Sequence, residues 1–126
     1  MTVSQLILQV DDALNLGIAP RMAGSSLPPS QFMRQDSCCK TLLACCGFAQ
    51  GELSPEPDAA LTFESELVFC KPRYTRRIFF YAVVAEYFRI VGDYAQSASW
   101  ADKLSQALAS ADLSRRASIP SRRWLS

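Results

Sequence analysis

Apolar residues at positions 3, 6, 7, 10, 13 and 14 recur every three or four residues. That spacing predicts a helix from Val3 to Leu16 with Val3, Leu6, Ile7, Val10, Ala13 and Leu14 on one side, and Gly17 is a plausible end for it. Pro20, Gly24, Ser25, Ser26, Pro28 and Pro29 follow, so only the first part of this stretch can resume a helix and Ala23 to Ser30 reads as a loop. Phe32 to Ala49 returns to a helical pattern carried by Leu42, Leu43, Cys45, Cys46 and Phe48, which Gly51, Pro55 and Pro57 then break. Asp58 is placed to cap a fourth helix from Ala59 to Cys70, with Leu61, Phe63, Leu67, Val68 and Phe69 partly inward and Glu64 and Glu66 in solvent. Pro72 closes it, because the residue before a proline is pushed out of helical geometry.

From about Thr75 to Val91 the chain is apolar nearly all round, most densely from Ile78 to Ala85, which predicts the central and most buried element. Gly92 suits the left-handed position that ends a helix, and Asp93 with Gln96 three residues later is a capping-box pattern for the next one. The last helix is expected from Tyr94 to about Ala111, with Tyr94, Ala98, Ala101, Leu104 and Leu108 on one face. The fold class is therefore all-α, with about five helices in antiparallel hairpins. Residues 1–111 form a single helical domain in this scheme, and 112–126 a flexible basic C-terminal tail with too little apolar surface to offset its ordering entropy.

Tyr81, Val84, Ala85, Phe88, Gly92, Asp93, Tyr94, Ser97, Ala101 and Leu104 together resemble one tetratricopeptide repeat. Ser97, Ala101 and Leu104 depart from the residue types that this family prefers. Ala59 to Cys70 with Pro72 resembles the second helix of a preceding repeat, so the likeness spans residues 59–108. It implies an adaptor or assembly subunit, with Phe79, Ala82, Glu86 and Arg89 lining a concave side where Glu86 and Arg89 orient a bound peptide or helix. The packing logic stands without the family name: small residues at Ala85 and Ser97 let two helices cross closely, and Tyr81, Phe88 and Tyr94 fill the flanking gaps.

Composition narrows the options. With 126 residues, 49% of them apolar, the chain can bury one modest core. Its net charge of +1 conceals an acidic half, residues 1–70 at −5, and a basic half, residues 71–126 at +6. Such halves attract one another within a fold or face different partners. Arg73, Arg76 and Arg77 around Tyr74 form a basic cluster at the start of the central helix, where the helix dipole opposes cations, so acids of the first half or an acidic partner are expected to compensate them.

Chemistry finds little support. The absence of histidine removes the commonest general base and metal ligand together. Cys38–Cys45 and Cys39–Cys46 are seven residues apart, about 10 Å along a helix, too far for one zinc ion. They read as small buried hydrophobes, and five cysteines, an odd number, suit a reducing compartment. Neither Glu64 with Glu66 nor Glu86 with Asp93 has a catalytic spacing, and no phosphate-cradling loop or serine elbow is present. No enzyme, no cofactor and no metal are expected.

The run from Ile78 to Val91 is interrupted by Glu86 and Arg89 and is too short for a membrane span, and Asp11 and Asp12 interrupt any secretory leader, so an intracellular protein, cytoplasmic or nuclear, is expected. The leading expectation is a non-enzymatic interaction module: an adaptor, chaperone or complex subunit whose partner is a protein or peptide of acidic character or a second copy. The alternative is a small nucleic-acid-associated protein using Arg73, Arg76, Arg77 and the C-terminal arginines. In that tail, Arg115, Arg116 and Ser118 resemble the substrate motif of basophilic kinases.

Overall fold

A computed structural model describes residues 1–53, 61–67 and 76–117, with side chains as far as residue 111. The chain is all-α. Six helices occur among the described residues: α1 Val3–Leu14, α2 Ile18–Ala23, α3 Pro29–Gln35, α4 Ser37–Leu53, α5 Arg76–Val91 and α6 Tyr94–Ala117.

Helix α1 buries Val3, Leu6, Ile7 and Val10, four of the six positions its periodicity selects. Ala13 lies inside α1 and stays exposed, and the helix stops two residues short of expectation. Asn15, not Gly17, takes the left-handed position at φ +59°, and its N–H donates to the Asp11 carbonyl at 2.7 Å. Gly17, at φ +81°, instead opens α2. At the other end Thr2 and Gln5 form a capping box, and the carbonyls of Ser65 and Phe63 accept from the Val3 and Ser4 N–H groups at 2.9 Å each. The free donors of the first turn thus find acceptors across 60 residues of sequence.

That pairing explains the largest correction in the fold. Residues 61–67, expected within a helix from Ala59 to Cys70, form a turn and an extended stretch in which Glu66 makes an isolated antiparallel bridge to Thr2. The Ser65 hydroxyl bonds with Thr62, and the Leu67 N–H donates to the Met1 carbonyl at 2.9 Å. Local side-chain bonds of this type compete with helix formation. The apolar residues still go inward: Phe63 and Leu67 are buried. The remainder of that expected helix, 59–60 and 68–70, lies outside the described residues, as does Pro72.

The expected helix from Phe32 to Ala49 is two. Asp36 separates α3 from α4, its carboxylate accepting from the Cys39 N–H at 3.0 Å and pairing with Arg21 at 3.0 Å. Burial pushes the Asp36 carboxyl up, but the Cys39 N–H and the Arg21 guanidinium together hold it below its ordinary value. Helix α4 then passes through Gly51 as far as Leu53, the last described residue of this stretch, since no proline interrupts it there.

Helix α5 is the central element, packing against α4, α6 and α1. It ends in a Schellman motif: the Asp93 N–H donates to the Phe88 carbonyl at 2.9 Å and the Gly92 N–H to the Arg89 carbonyl at 3.2 Å, with Gly92 at φ +88°. Asp93 Oδ1 then accepts from the Gln96 N–H at 3.2 Å and caps α6. A Cβ at Gly92 would meet no atom within 4 Å, so substitution there is opposed by conformation and not by crowding. Gly92→Ala should cost about 1 kcal/mol and Gly92→Val more, while Asp93→Ala should cost about 1 kcal/mol, each read from urea unfolding.

Helix α6 keeps only part of the expected stripe. Leu104 and Leu108 are half-buried as expected, but Tyr94 is 70% exposed and Ala98 and Ala101 are exposed. Ser97, Trp100, Ala107 and Ala111 are the other half-buried positions among the described side chains. The helix is rotated by the Ser97 hydroxyl, which donates to the Ala85 carbonyl at 2.8 Å, and by Trp100, whose ring lies 6.0 Å from that of Phe80 and 5.8 Å from that of Tyr81. The close crossing at Ala85 and Ser97 is therefore real, whereas Tyr94 fills no gap. The backbone also remains helical through Ala117, so residues 112–117 of the expected tail extend α6, and 118–126, including Ser118, lie outside the described residues.

Candidate functional site

Helices α4 and α6 both pack on α5, which leaves an open groove over the face of α5 between them. Its floor is Ala82, Ala85, Glu86 and Arg89, four positions that a helical period of 3.6 stacks on one side of α5. One wall is Phe48, Glu52 and Leu53 from the last turns of α4, and the other is Ser97, Ala101, Leu104 and Leu108 from α6. The groove holds about 490 Å³ and is lined mainly by apolar atoms. Two alanines in the floor set the depth; large side chains in both walls supply the contact surface. Phe48 is 50% exposed on the rim, an unusual exposure for a phenylalanine.

Polar chemistry concentrates at one end. Glu86 accepts from Arg89 Nε at Oε1, and from Arg89 Nη2 at Oε2 over 3.2 Å, in a two-point pair. The Glu86 side chain is 5% exposed and that of Arg89 60%. The carboxylate beside Arg89 raises the guanidinium further above its ordinary value. This pair orients donors; it offers no acid and base separated across a substrate-sized gap.

Of the residues expected to bind a partner, Ala82, Glu86 and Arg89 lie in the groove. Phe79 does not: it is 1% exposed and belongs to the core shared with α1 and α4. It lies three residues from Ala82, which on a helix is about 60° away, enough to turn it from the groove into the core. Arg76 and Arg77 are exposed at the start of α5 and do not line the groove, and Arg73 lies outside the described residues. The ion pairs among the described residues stay within one half or the other: Met1–Glu66, Arg21–Asp36 and Arg34–Glu64 in the first and Glu86–Arg89 in the second.

The α4 wall was missed from sequence because a helix ending at Ala49 leaves Glu52 and Leu53 in a loop. On the α6 wall Ala101, Leu104 and Leu108 were assigned to a packing face; only their position beside α5 makes them a wall.

Cys38, Cys39, Cys45 and Cys46 are free thiols, the last three fully buried. Burial pushes Cys39, Cys45 and Cys46 each up to about 12, and raises the half-buried Cys38 as well, against a partly opposing hydrogen bond from Tyr87. Among the described residues no three His, Cys, Asp or Glu side chains are grouped to hold a metal. Thiolate is the reactive form, so Cys39, Cys45 and Cys46 should resist iodoacetamide at pH 8 in the folded protein and react fully in denaturant, as peptide mass mapping will show. No helix among the described residues is long and apolar enough to cross a membrane.

No protein-family model, curated protein or solved structure matches this chain.

Proposed function

We propose that the protein is a non-enzymatic interaction module, an adaptor or subunit of a protein assembly, that takes an apolar segment of a partner into the groove between α4, α5 and α6. The observation that carries this reading is the groove itself: an open apolar trough, floored by Ala82 and Ala85 and walled by Phe48, Leu53, Leu104 and Leu108. Helix-lined grooves of this kind take amphipathic segments through large apolar anchors. The resemblance of Tyr81 to Leu104 to a tetratricopeptide hairpin supports the same reading, although no helix at 61–67 precedes it as a repeat array would require.

The nucleic-acid alternative draws on Arg76 and Arg77, but the rings of Phe80, Tyr81 and Trp100 in the α5–α6 hairpin are engaged with one another. Trp100 is edged by Phe80 and Tyr81 and covered by Lys103 Nζ at 4.2 Å from its centroid.

The test compares two tryptophan substitutions on exposed α6 positions. Ala101→Trp fills the groove, whereas Ser99→Trp, which does not line it, serves as control. Proteins captured from the native source and quantified by mass spectrometry should include at least one retained by Ser99→Trp and depleted about tenfold or more by Ala101→Trp, the range expected when an anchor pocket is blocked. Equal capture by both variants, or capture governed by salt and added oligonucleotide, would refute the groove.

A further inference from the structure

The groove is graded along its length, and the grading specifies the chemistry of its occupant. Arg89 stands three residues before the Gly92 turn, and Ser97, near the start of α6, bonds to Ala85 one turn further back. Because α6 runs back antiparallel along α5 from that turn, Leu104 and Leu108 lie toward the other end. The cation therefore stands at one end of the α5 floor and the α6 leucines at the other.

At the Arg89 end the two charges are unequally presented. A guanidinium has five N–H donors, and Glu86 takes two of them. The remaining three belong to a side chain that is 60% exposed, while the carboxylate that neutralises it is 5% exposed. A ligand approaching Arg89 meets its donors and almost none of the Glu86 acceptor. Glu52, exposed on the α4 wall, is a second carboxylate in the lining and disfavours an acid beside it, which leaves Arg89 as the one cation of the described lining able to receive a carboxylate.

The walls decide the backbone form. An extended peptide is held by pairing with a sheet edge, and the described residues that line the groove all belong to helices and offer no such edge. A helix needs no such pairing, and the Ala82–Ala85 floor allows its close approach.

We propose that the occupant is an amphipathic helix of a partner protein that seats large aliphatic residues against Leu104 and Leu108 and brings an Asp or Glu side chain to the free donors of Arg89. This rests on the groove-binding function above and adds to it the sign of the charge and the form of the segment.

The experiment uses fluorescence anisotropy with three labelled amphipathic peptides on the order of 16 residues, long enough for partial helicity. They carry leucines at i, i+3 and i+7 and differ at one terminal position: Glu, Gln or Lys. With the full chain, the Glu peptide should bind about fivefold more tightly than the Gln peptide, the Lys peptide most weakly, and the preference should shrink as salt is raised. The double variant Glu86→Gln with Arg89→Gln, which leaves no buried unpaired charge, should bind Glu and Gln peptides alike while retaining its circular dichroism and Tm. Equal binding of the Glu and Gln peptides by the native chain would overturn the acidic partner and leave the groove standing. Absence of binding by all three would overturn the groove function itself. Sedimentation showing a dimer that Ala101→Trp abolishes would assign the groove to a second copy and overturn the proposal.

Discussion

Phe79→Ala should destabilise the fold by about 3–5 kcal/mol, the usual cost of emptying a phenylalanine site in a packed core. The side chain is 1% exposed in the cluster where α5 meets α1 and α4, and a chain of this size has on the order of 5–15 kcal/mol in total. The measurement is a urea unfolding curve, with the midpoint falling and the slope nearly unchanged. The same substitution also separates two roles. A residue that only contacted a partner would lose affinity and keep its stability; Phe79→Ala should lose stability first, and any loss of affinity should follow the unfolded fraction. A cost below about 1 kcal/mol would contradict the core placement.

Asp11→Ala should be nearly as severe, for a different reason. Asp11 is 6% exposed, and its two carboxylate oxygens accept from the Ile18 N–H at 2.8 Å and the Ala19 N–H at 3.0 Å. It thereby serves the first turn of α2 from within α1, in place of a side-chain cap, which Gly17 cannot provide. Alanine would leave two amide groups without acceptors, one of them buried, at a cost of about 2–4 kcal/mol. Asp11→Asn keeps one acceptor oxygen and should cost roughly half as much. Hydrogen exchange gives the sharper readout: the amides of Ile18 and Ala19 should exchange much faster in Asp11→Ala even under conditions where α4 and α5 remain protected. Unchanged protection at those two amides would show that α2 is held by its packing alone.

These two residues mark the boundary between what was legible and what was not. Periodicity identified α1 and its buried face, the apolar density of α5 identified the central helix, and adjacent residues Gly92 and Asp93 specified one helix end and the next start. Each of those signals is local: spacing within one helix, or the backbone freedom of one glycine next to one capping carboxylate. The same locality explains three of the four groove-floor positions. Ala82, Glu86 and Arg89 share a side of α5 whatever packs around them, so a resemblance keyed to helix spacing placed them together, and Ala85 was singled out for its size alone.

The remainder depended on which element met which. Asp11 looked like an interruption of an apolar segment until α2 folded back onto it. Residues 61–67 place Leu61, Phe63 and Leu67 at a period of two, which suits extended chain better than helix, and the carbonyls of Phe63 and Ser65 serve the first turn of α1, a long-range bonding that fixes the extended form. Phe79 and Ala82 lie within one turn of each other and both are buried in the core, but only the direction from which α4 and α1 approach decides that Ala82 also reaches the groove floor and Phe79 does not. The stripe that α6 buries departs from expectation at Tyr94, Ala98 and Ala101 for the same reason: an Ala- and Ser-rich helix has no dominant apolar face of its own, and the Ser97 bond and the Trp100 ring, both made to α5, select its rotation. The sequence by itself determined the helical class, the central helix and the hairpin turn, because each is a property of neighbours in the chain. The groove, its two walls and the unequal exposure of Glu86 and Arg89 were decided only by tertiary packing, because they belong to the space between helices.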